Sequence, residues 1–430
     1  MSERSSENRH EANIGNSLHG YDKHAVTRYP RRKTVKNTAN IAEILQTVAK
    51  TCRSVIFPSQ PDATLCRRMR IMIVTDAWFP QTNGVVRTLA HTAAWLTRFG
   101  HEVRTVTPRD FRSIPCPTYP EIRLSLLPGR QVARAIASFA PQALHIATEG
   151  PLGLAARRHA LRHGLRFTTS YHTQFPQYLR ARFPVPIGLS FRALRWFHGA
   201  GTRCMVSTAS VRRELESRGF ENIVTWRRGV DTEIFRPRPK DFLDLERPVA
   251  AFVGRVAIEK NIEAFLEMPW EGSKIVIGDG PERARLEARY PHVVYTGYKF
   301  EEDLARHLAA ADVMVFPSRT DTFGLVNLEA MACGVPVAAY PVTGPIDVVT
   351  DGVTGALDED LRRAALRALA LDPAACREHA LKFSWDANTR QFEGNLVLCQ
   401  SSTVVDLTSA MEASAAGGPP THGRAAPASY

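Results

Sequence analysis

The stretch DVMVFPSRTDTFGLVNLEAMACGVPVAAY, Asp312 to Tyr340, holds one full unit of the fold. Two short apolar runs, DVMVFPS (312–318) and VPVAAY (335–340), have the length and branched side chains of strands. Between them a helix is predicted from about Gly324 to Cys333, stopped by Gly334. Strand, helix, strand with short joints gives a parallel pair covered by its helix. Inside this unit Glu329 stands among Leu325, Val326, Leu328, Ala330, Met331 and Ala332, a neighbourhood built for burial. An unpaired buried carboxylate costs several kcal/mol or gives up its charge, so Glu329 requires a partner. A second carboxylate, Asp321, precedes Phe323-Gly324 at the mouth of the same helix.

The same alternation continues in both directions. Upstream in the same half lie VAAFVG (249–254), SKIVIG (273–278) and HVVYTG (292–297). Earlier still, a separate series comprises IMIVT (71–75), VRTVT (103–107), ALHIA (143–147), LRFTTS (165–170), CMVST (204–208) and NIVTW (222–226). Helical stretches separate them, for example VVRTLAHTAAWLTRFG with Gly100 as its stop. The two series, joined through FRPRPKDF (235–242), imply an α/β protein with two doubly wound, Rossmann-like domains facing a cleft. The expected boundaries are a basic tail without fixed structure over 1–67, a first domain over 68–240 and a second over 241–383. A C-terminal helix over 384–400, crossing back to the first domain, and a low-complexity tail over 401–430 follow.

Composition narrows the class. With 44% hydrophobic and 23% charged residues and no apolar run of spanning length, the sequence reads as globular and not integral to a membrane. Its start lacks the basic-then-apolar order of a secretory signal. The seven cysteines are scattered, with neither CxxC nor Cys/His ligand spacing, so a reduced cytoplasmic setting is expected, with no metal site. Net charge is +12, distributed as +6 over 1–68, +14 over 69–244 and −8 over 245–430. Two readings of the basic first domain stand: arginine-rich solvated faces, or a surface that meets an anionic membrane or acceptor. The segment YLRARFPVPIGLSFRALRWF (178–197) interleaves aromatics with Arg180, Arg182, Arg192 and Arg195. It suits a membrane interface or a helix packed on its sheet. No motif supports nucleic-acid binding.

Ligands of open α/β sheets collect at the carboxyl ends of strands, where helix N-termini face them. At Phe323-Gly324 the backbone can approach a ligand closely, and the following helix offers free N–H groups to a phosphate. Glu329 then lies about 7 Å further along the axis. A carboxylate at each end suits an elongated polyol phosphate, because each accepts two hydroxyl hydrogen bonds. Gly254-Arg255 at a strand end and Lys260 at the next helix could neutralise a pyrophosphate. Gly278 and Gly280 form a glycine turn, but Arg283 replaces the third glycine of a dinucleotide fingerprint, so that turn reads as structural. The acidic run Asp358-Glu359-Asp360 reads as helix capping.

From Met69 to about Leu398 the chain resembles the retaining glycosyltransferases of family 4, which have the GT-B architecture. The motifs are FPQTNGVVRT, RGVDTEIFRP, GRVAIEKN, VIGDGPERARLE and DTFGLVNLEAMACGVPV. The family signature is two glutamates separated by seven residues; here Asp321 takes the first position and Glu329 the second. TDTFGLV and Arg228-Gly229-Val230-Asp231 resemble the branch with sulfoquinovosyl-diacylglycerol synthases and GDP-mannose-dependent α-mannosyltransferases. The resemblance implies that Glu329 binds the donor ribose and Asp321 the sugar hydroxyls. It implies that Arg255 and Lys260 grip the pyrophosphate beside Gly254. Phe323, Gly324, Leu325 and Val326 would approach through their backbone, Asn83 and Gly84 would lie near the donor phosphates, and His172 near the reacting sugar. The implied reaction moves a hexose from UDP or GDP to a hydroxyl of a lipid or membrane-associated glycan, with retention and without a metal or other cofactor. The implied place is cytoplasmic, peripheral on the inner face of the membrane. A nucleotide-sugar epimerase and a non-catalytic nucleotide-sugar binder remain alternatives. A dehydrogenase is disfavoured, because the first strand–helix turn lacks G-x-G-x-x-G.

Overall fold

The computed structural model describes residues 68–81, 83–116, 119–174, 176 and 186–400. The readings of both tails and of the first half of the 178–197 segment fall outside these residues.

The first lobe contains β1 (Arg70–Val74), β2 (Glu102–Val106), the hairpin β3 (Ser113–Cys116) and β4 (Tyr119–Ser125), β5 (Ala143–Ile146), β6 (Thr168–Ser170), β7 (Arg203–Val206) and β8 (Ile223–Thr225). Six of these form a sheet in the order β2-β1-β5-β6-β7-β8, and every pairing in it is parallel. The second lobe contains β9 (Ala250–Val253), β10 (Lys274–Ile277), β11 (Val294–Gly297), β12 (Val313–Phe316), β13 (Val337–Ala339) and β14 (Gly355–Leu357). Its parallel sheet runs β11-β10-β9-β12-β13-β14, the doubly wound order with its switch point between β9 and β12.

Helices on both faces explain why the strands read as continuous apolar runs. In β1, Met72 and Val74 enter the core on one face, while Ile71 and Ile73 enter the core on the other. In β12, Met314 and Phe316 point to one side and Val313 and Val315 to the other. All eight side chains are almost fully withdrawn from water. Each such burial is worth roughly 1.5–3 kcal/mol, so neither face could tolerate a polar alternation.

The hairpin β3–β4 and the edge strand β14 are not foreseen by the sequence pattern. Residues 113–125 carry a proline in each strand, and Gly355–Leu357 is too short to show a period. The linker at 235–242 is packed on the second lobe. Phe235 is buried in that lobe's core, Lys240 pairs with Asp312 at 3.0 Å, and Arg238 with Glu302 at 2.7 Å.

After the second lobe the chain returns to the first. The helix Trp385–Asn395 lies on the helix Gly84–Arg98, with Trp385 stacked on His91 at 4.6 Å. Trp226 donates its indole N–H to Asn388 at 2.6 Å. Cys399 then exchanges backbone hydrogen bonds with Gln142 and Arg166, both at 2.8 Å. Among the described residues no helix is long and apolar enough to cross a membrane.

Candidate functional site

The helix Leu325–Ala332 begins on Gly324, whose φ of +75° lies in the left-handed region that glycine adopts without strain. A Cβ there would stand 2.6 Å from Nδ2 of Asn327, so no side chain fits. The helix consequently starts without a side-chain cap, and the amides of Leu325 and Val326 are left for an anion.

Around that turn, several buried polar atoms lack a hydrogen-bond partner. They are Oγ of Ser318, both amide atoms of Asn327 and Oε2 of Glu329. Native interiors leave few such atoms, and these lie beside an uncapped helix, where a ligand could supply their partners. Glu329 is only 3% exposed. Its Oε1 lies 2.5 Å from Nη2 of Arg87, which reaches across from the first lobe. The partner required by the burial of Glu329 is therefore an arginine, with one carboxylate oxygen left over. Asp321 does not cap the helix; its carboxylate is in ion-pair contact with Nζ of Lys260.

The glycines that follow β9 and β10 serve close packing of two loops. A Cβ on Gly278 would stand 1.8 Å from the carbonyl oxygen of Gly254, and Val256 N–H donates to Asp279 O at 2.9 Å. The 278–280 turn thus braces the loop that carries Arg255 and Lys260. The acidic run Asp358–Asp360 is occupied elsewhere. Asp360 caps the helix Leu361–Leu369, Glu359 pairs with Arg319 at 3.2 Å, and hydrogen bonding from Arg363 holds the Asp358 carboxyl down at about 2.

In the first lobe Asn83 caps the helix Gly84–Arg98, its Oδ1 accepting from Val85 N and Val86 N at 3.0 Å. Those amides are spent on the cap, whereas the helix at Leu325 has no side-chain cap. The two helix starts nevertheless meet, since a Cβ on Gly84 would lie 3.4 Å from Cδ1 of Leu325.

His172 follows β6 and is held at both ring nitrogens. Arg228 Nη2 donates to Nδ1 at 3.2 Å, so the proton sits on Nε2, which faces Oγ of Ser170 at 2.8 Å. Ser170 continues to His145 at 3.0 Å, and His145 to Thr168 at 2.9 Å. Burial, and then the guanidinium of Arg228, keep the His172 imidazole well below its ordinary range and hence neutral. Burial also brings Arg228 itself down to about 9.

The turn between β12 and its helix is tied to the first lobe at several points. Thr322 Oγ1 donates to the His172 carbonyl at 2.7 Å, Ser207 Oγ donates to the Thr322 carbonyl at 3.0 Å, and Gln174 Nε2 reaches the Asp321 carbonyl at 3.3 Å. Further along, Ser210 N–H donates to Asp347 at 3.0 Å.

The structure therefore gathers Asn83, Gly84, Lys260, Asp321, Gly324, Leu325, Val326 and Glu329 at one cleft, with His172 behind the 321–323 turn. Gly254 and Arg255 open the loop that brings Lys260 there, and Phe323 turns inward to the second lobe's core. Sequence reasoning missed Arg87, Ser318 and Asn327. Arg87 stands in FPQTNGVVRT, four residues after the cap, where helical spacing returns it to the face of Asn83. Ser318 and Asn327 carry no signal in their spacing.

Two family descriptions match the sequence: glycosyl transferases group 1 over residues 247–371, and glycosyltransferase family 4 over residues 82–234. The chain is 30% identical to a GDP-mannose-dependent alpha-mannosyltransferase of Mycolicibacterium smegmatis over 319 residues, 67% of this chain and 84% of the relative. It is 29% identical to sulfoquinovosyl transferase SQD2 of Arabidopsis thaliana over 373 residues, 76% of this chain and 73% of the relative. Among solved structures, Anabaena HepE in complex with UDP and glucose aligns with a TM-score of 0.58 at 16% identity, over 76% of this chain and 99% of that one. Sucrose-phosphate synthase from Thermosynechococcus elongatus gives the same TM-score at 22% identity, over 80% of this chain and all of the other (100%). These structural likenesses establish the GT-B fold.

Proposed function

The chain belongs to the family 4 glycosyltransferases, and on that premise we propose that it transfers a hexose from GDP-mannose or a UDP-hexose, with retention of configuration, to a hydroxyl of a lipid or membrane-associated glycan. What supports the donor assignment is the placement of Glu329. It is buried, and its one unpartnered oxygen lies in the helix whose uncapped N-terminus opens on the cleft. A ribose hydroxyl on Oε2 and a diphosphate on the amides of Leu325 and Val326 fill both needs with one ligand. Asp321 and Lys260, in contact with one another, then stand beside the glycosidic bond and its leaving group.

The chemistry asked of the protein is positioning and charge stabilisation. The acceptor oxygen attacks the anomeric carbon on the face from which the diphosphate departs, and its proton passes to a donor phosphate oxygen. The bond to the leaving oxygen breaks as the new glycosidic bond forms. Lys260, Arg255 and the helix amides bear the charge that develops on the diphosphate. His172, neutral and held at both nitrogens, presents a fixed wall behind the turn.

Action at an anionic membrane is supported by the outer face of the helix Ile187–His198. Leu189 and Trp196 are 59% and 60% exposed there, with Arg192 and Arg195 on the same open side. An exposed tryptophan and leucine flanked by arginine suit the interface of acidic lipids.

The test is turnover of GDP-mannose and UDP-glucose with lipid acceptors on anionic vesicles, with the product anomer read by NMR. An α-linked glycolipid is expected. Donor epimerisation without acceptor would make the protein an epimerase, and donor binding without any turnover would make it a binder.

A further inference from the structure

The two carboxylates assigned to the donor are each engaged by a cation. Lys260 contacts Asp321 within the second lobe, and Arg87 contacts Glu329 across the lobes. The second pairing is asymmetric. The Glu329 side chain is 4% exposed, whereas that of Arg87 is 35% exposed, so the arginine is the partner that water reaches. Arg87 also lies over the ring of Phe235, 6.0 Å from the centroid, which limits how far it can swing.

Its position relative to the uncapped helix is fixed by two contacts. Gly84, one turn before Arg87, abuts Leu325 at the start of that helix. Glu329, which Arg87 touches, lies one turn after Leu325, about 6 Å along the axis. Along the axis, the residue that Arg87 holds is therefore about one turn from the amides of Leu325 and Val326.

We propose that Arg87 is a donor-binding residue that changes partner, leaving Glu329 and taking the donor's diphosphate when the nucleotide sugar binds. The exchange leaves no charge stranded. The diphosphate supplies oxygens to Arg87 and Lys260, and the released carboxylates of Glu329 and Asp321 accept ribose and sugar hydroxyls. Breaking a buried ion pair is costly when one partner is left alone, and here neither is. It follows that the diphosphate, and not the base, is what frees Glu329 to receive the ribose. Because Arg87 belongs to the first lobe, whereas Glu329, Asp321 and Lys260 belong to the second, the exchange also couples donor arrival to the way the lobes hold one another.

This proposal rests on the donor-site reading above. It is tested by calorimetry of GDP and UDP binding to the full chain and to Arg87→Met, Glu329→Gln and the double variant, with Arg87→Lys beside them. Methionine keeps the apolar stem against Phe235, and circular dichroism checks that each variant is folded. The expected result is a loss of tenfold or more on Arg87→Met in both the wild-type and the Glu329→Gln backgrounds, partly restored in Arg87→Lys. A cost that vanishes in the Glu329→Gln background would overturn the proposal, because Arg87 would then act only by positioning Glu329. No cost in either background would overturn it as well. Failure of the wild type to bind either nucleotide would remove the donor-site reading and this proposal together.

Discussion

Thr322 donates its hydroxyl to the carbonyl oxygen of His172 at 2.7 Å, joining the turn that carries Asp321 to the strand exit that carries His172. The two lobes thereby meet at the place where the reacting sugar is proposed to lie. Replacing Thr322 by valine keeps the shape and removes the donor, leaving the carbonyl without that partner. An unfolding free energy lower by about 1–2 kcal/mol is expected, with faster amide exchange around residues 171–173. Nucleotide affinity should stay within about twofold, because the hydroxyl faces the lobe junction. Denaturant unfolding and hydrogen exchange check both halves of this expectation.

Asp321→Asn keeps the size of the side chain and removes the charge that meets Lys260. If Asp321 holds the transferred sugar, GDP or UDP should bind about as well as before, while kcat/KM for the intact sugar donor falls about a hundredfold. Asp321→Glu adds one methylene and pushes the carboxylate further into the cleft. A shift in the ratio of kcat/KM between GDP-mannose and UDP-glucose of about tenfold is expected. Steady-state kinetics on both donors decide the matter.

His145 is fully buried between Thr168 and Ser170, and burial lowers its pKa to about 3. Unfolded histidine titrates near 6.5, so the folded state binds fewer protons than the unfolded state between the two values. The contribution of neutral His145 is present above pH 6.5 and is lost as pH falls toward 3. Between pH 7 and pH 5 the loss amounts to about 2 kcal/mol. His145→Gln, which can still bond both hydroxyls, should flatten that part of the stability curve, as urea unfolding at the two pH values would show.

Trp196 and Leu189 project from a helix whose buried side carries Phe191, Leu194 and Phe197. Trp196→Ser with Arg192→Glu should therefore leave the fold intact and weaken cosedimentation with acidic phospholipid vesicles at least tenfold. Binding to neutral vesicles should be weak for both proteins. Equal binding of wild type and variant to acidic vesicles would remove this face from the account.

The strand pattern made most of the fold legible, because a parallel sheet buried on both faces demands unbroken apolar runs, and β1, β9 and β12 are written that way. The hairpin at 113–125 escaped because its pairing is local and proline-rich, without either period. In the site, Glu329 was legible from its neighbours, since a carboxylate inside an apolar helix has to be explained. Arg87 was not, because helical spacing puts it on the face of Asn83 but does not record its contact with a residue 242 positions away. The same holds for His172. Its place after a strand could be read, but the clamp by Ser170 and Arg228 could not.

Glu329 is proposed to receive the ribose of a nucleotide donor. Calorimetric titration of the full chain with GDP and with UDP, wild type beside Glu329→Ala, tests it most directly. Micromolar binding of one nucleotide by the wild type, weakened a hundredfold or more in the variant, is the predicted result. Undiminished binding by Glu329→Ala would contradict the account.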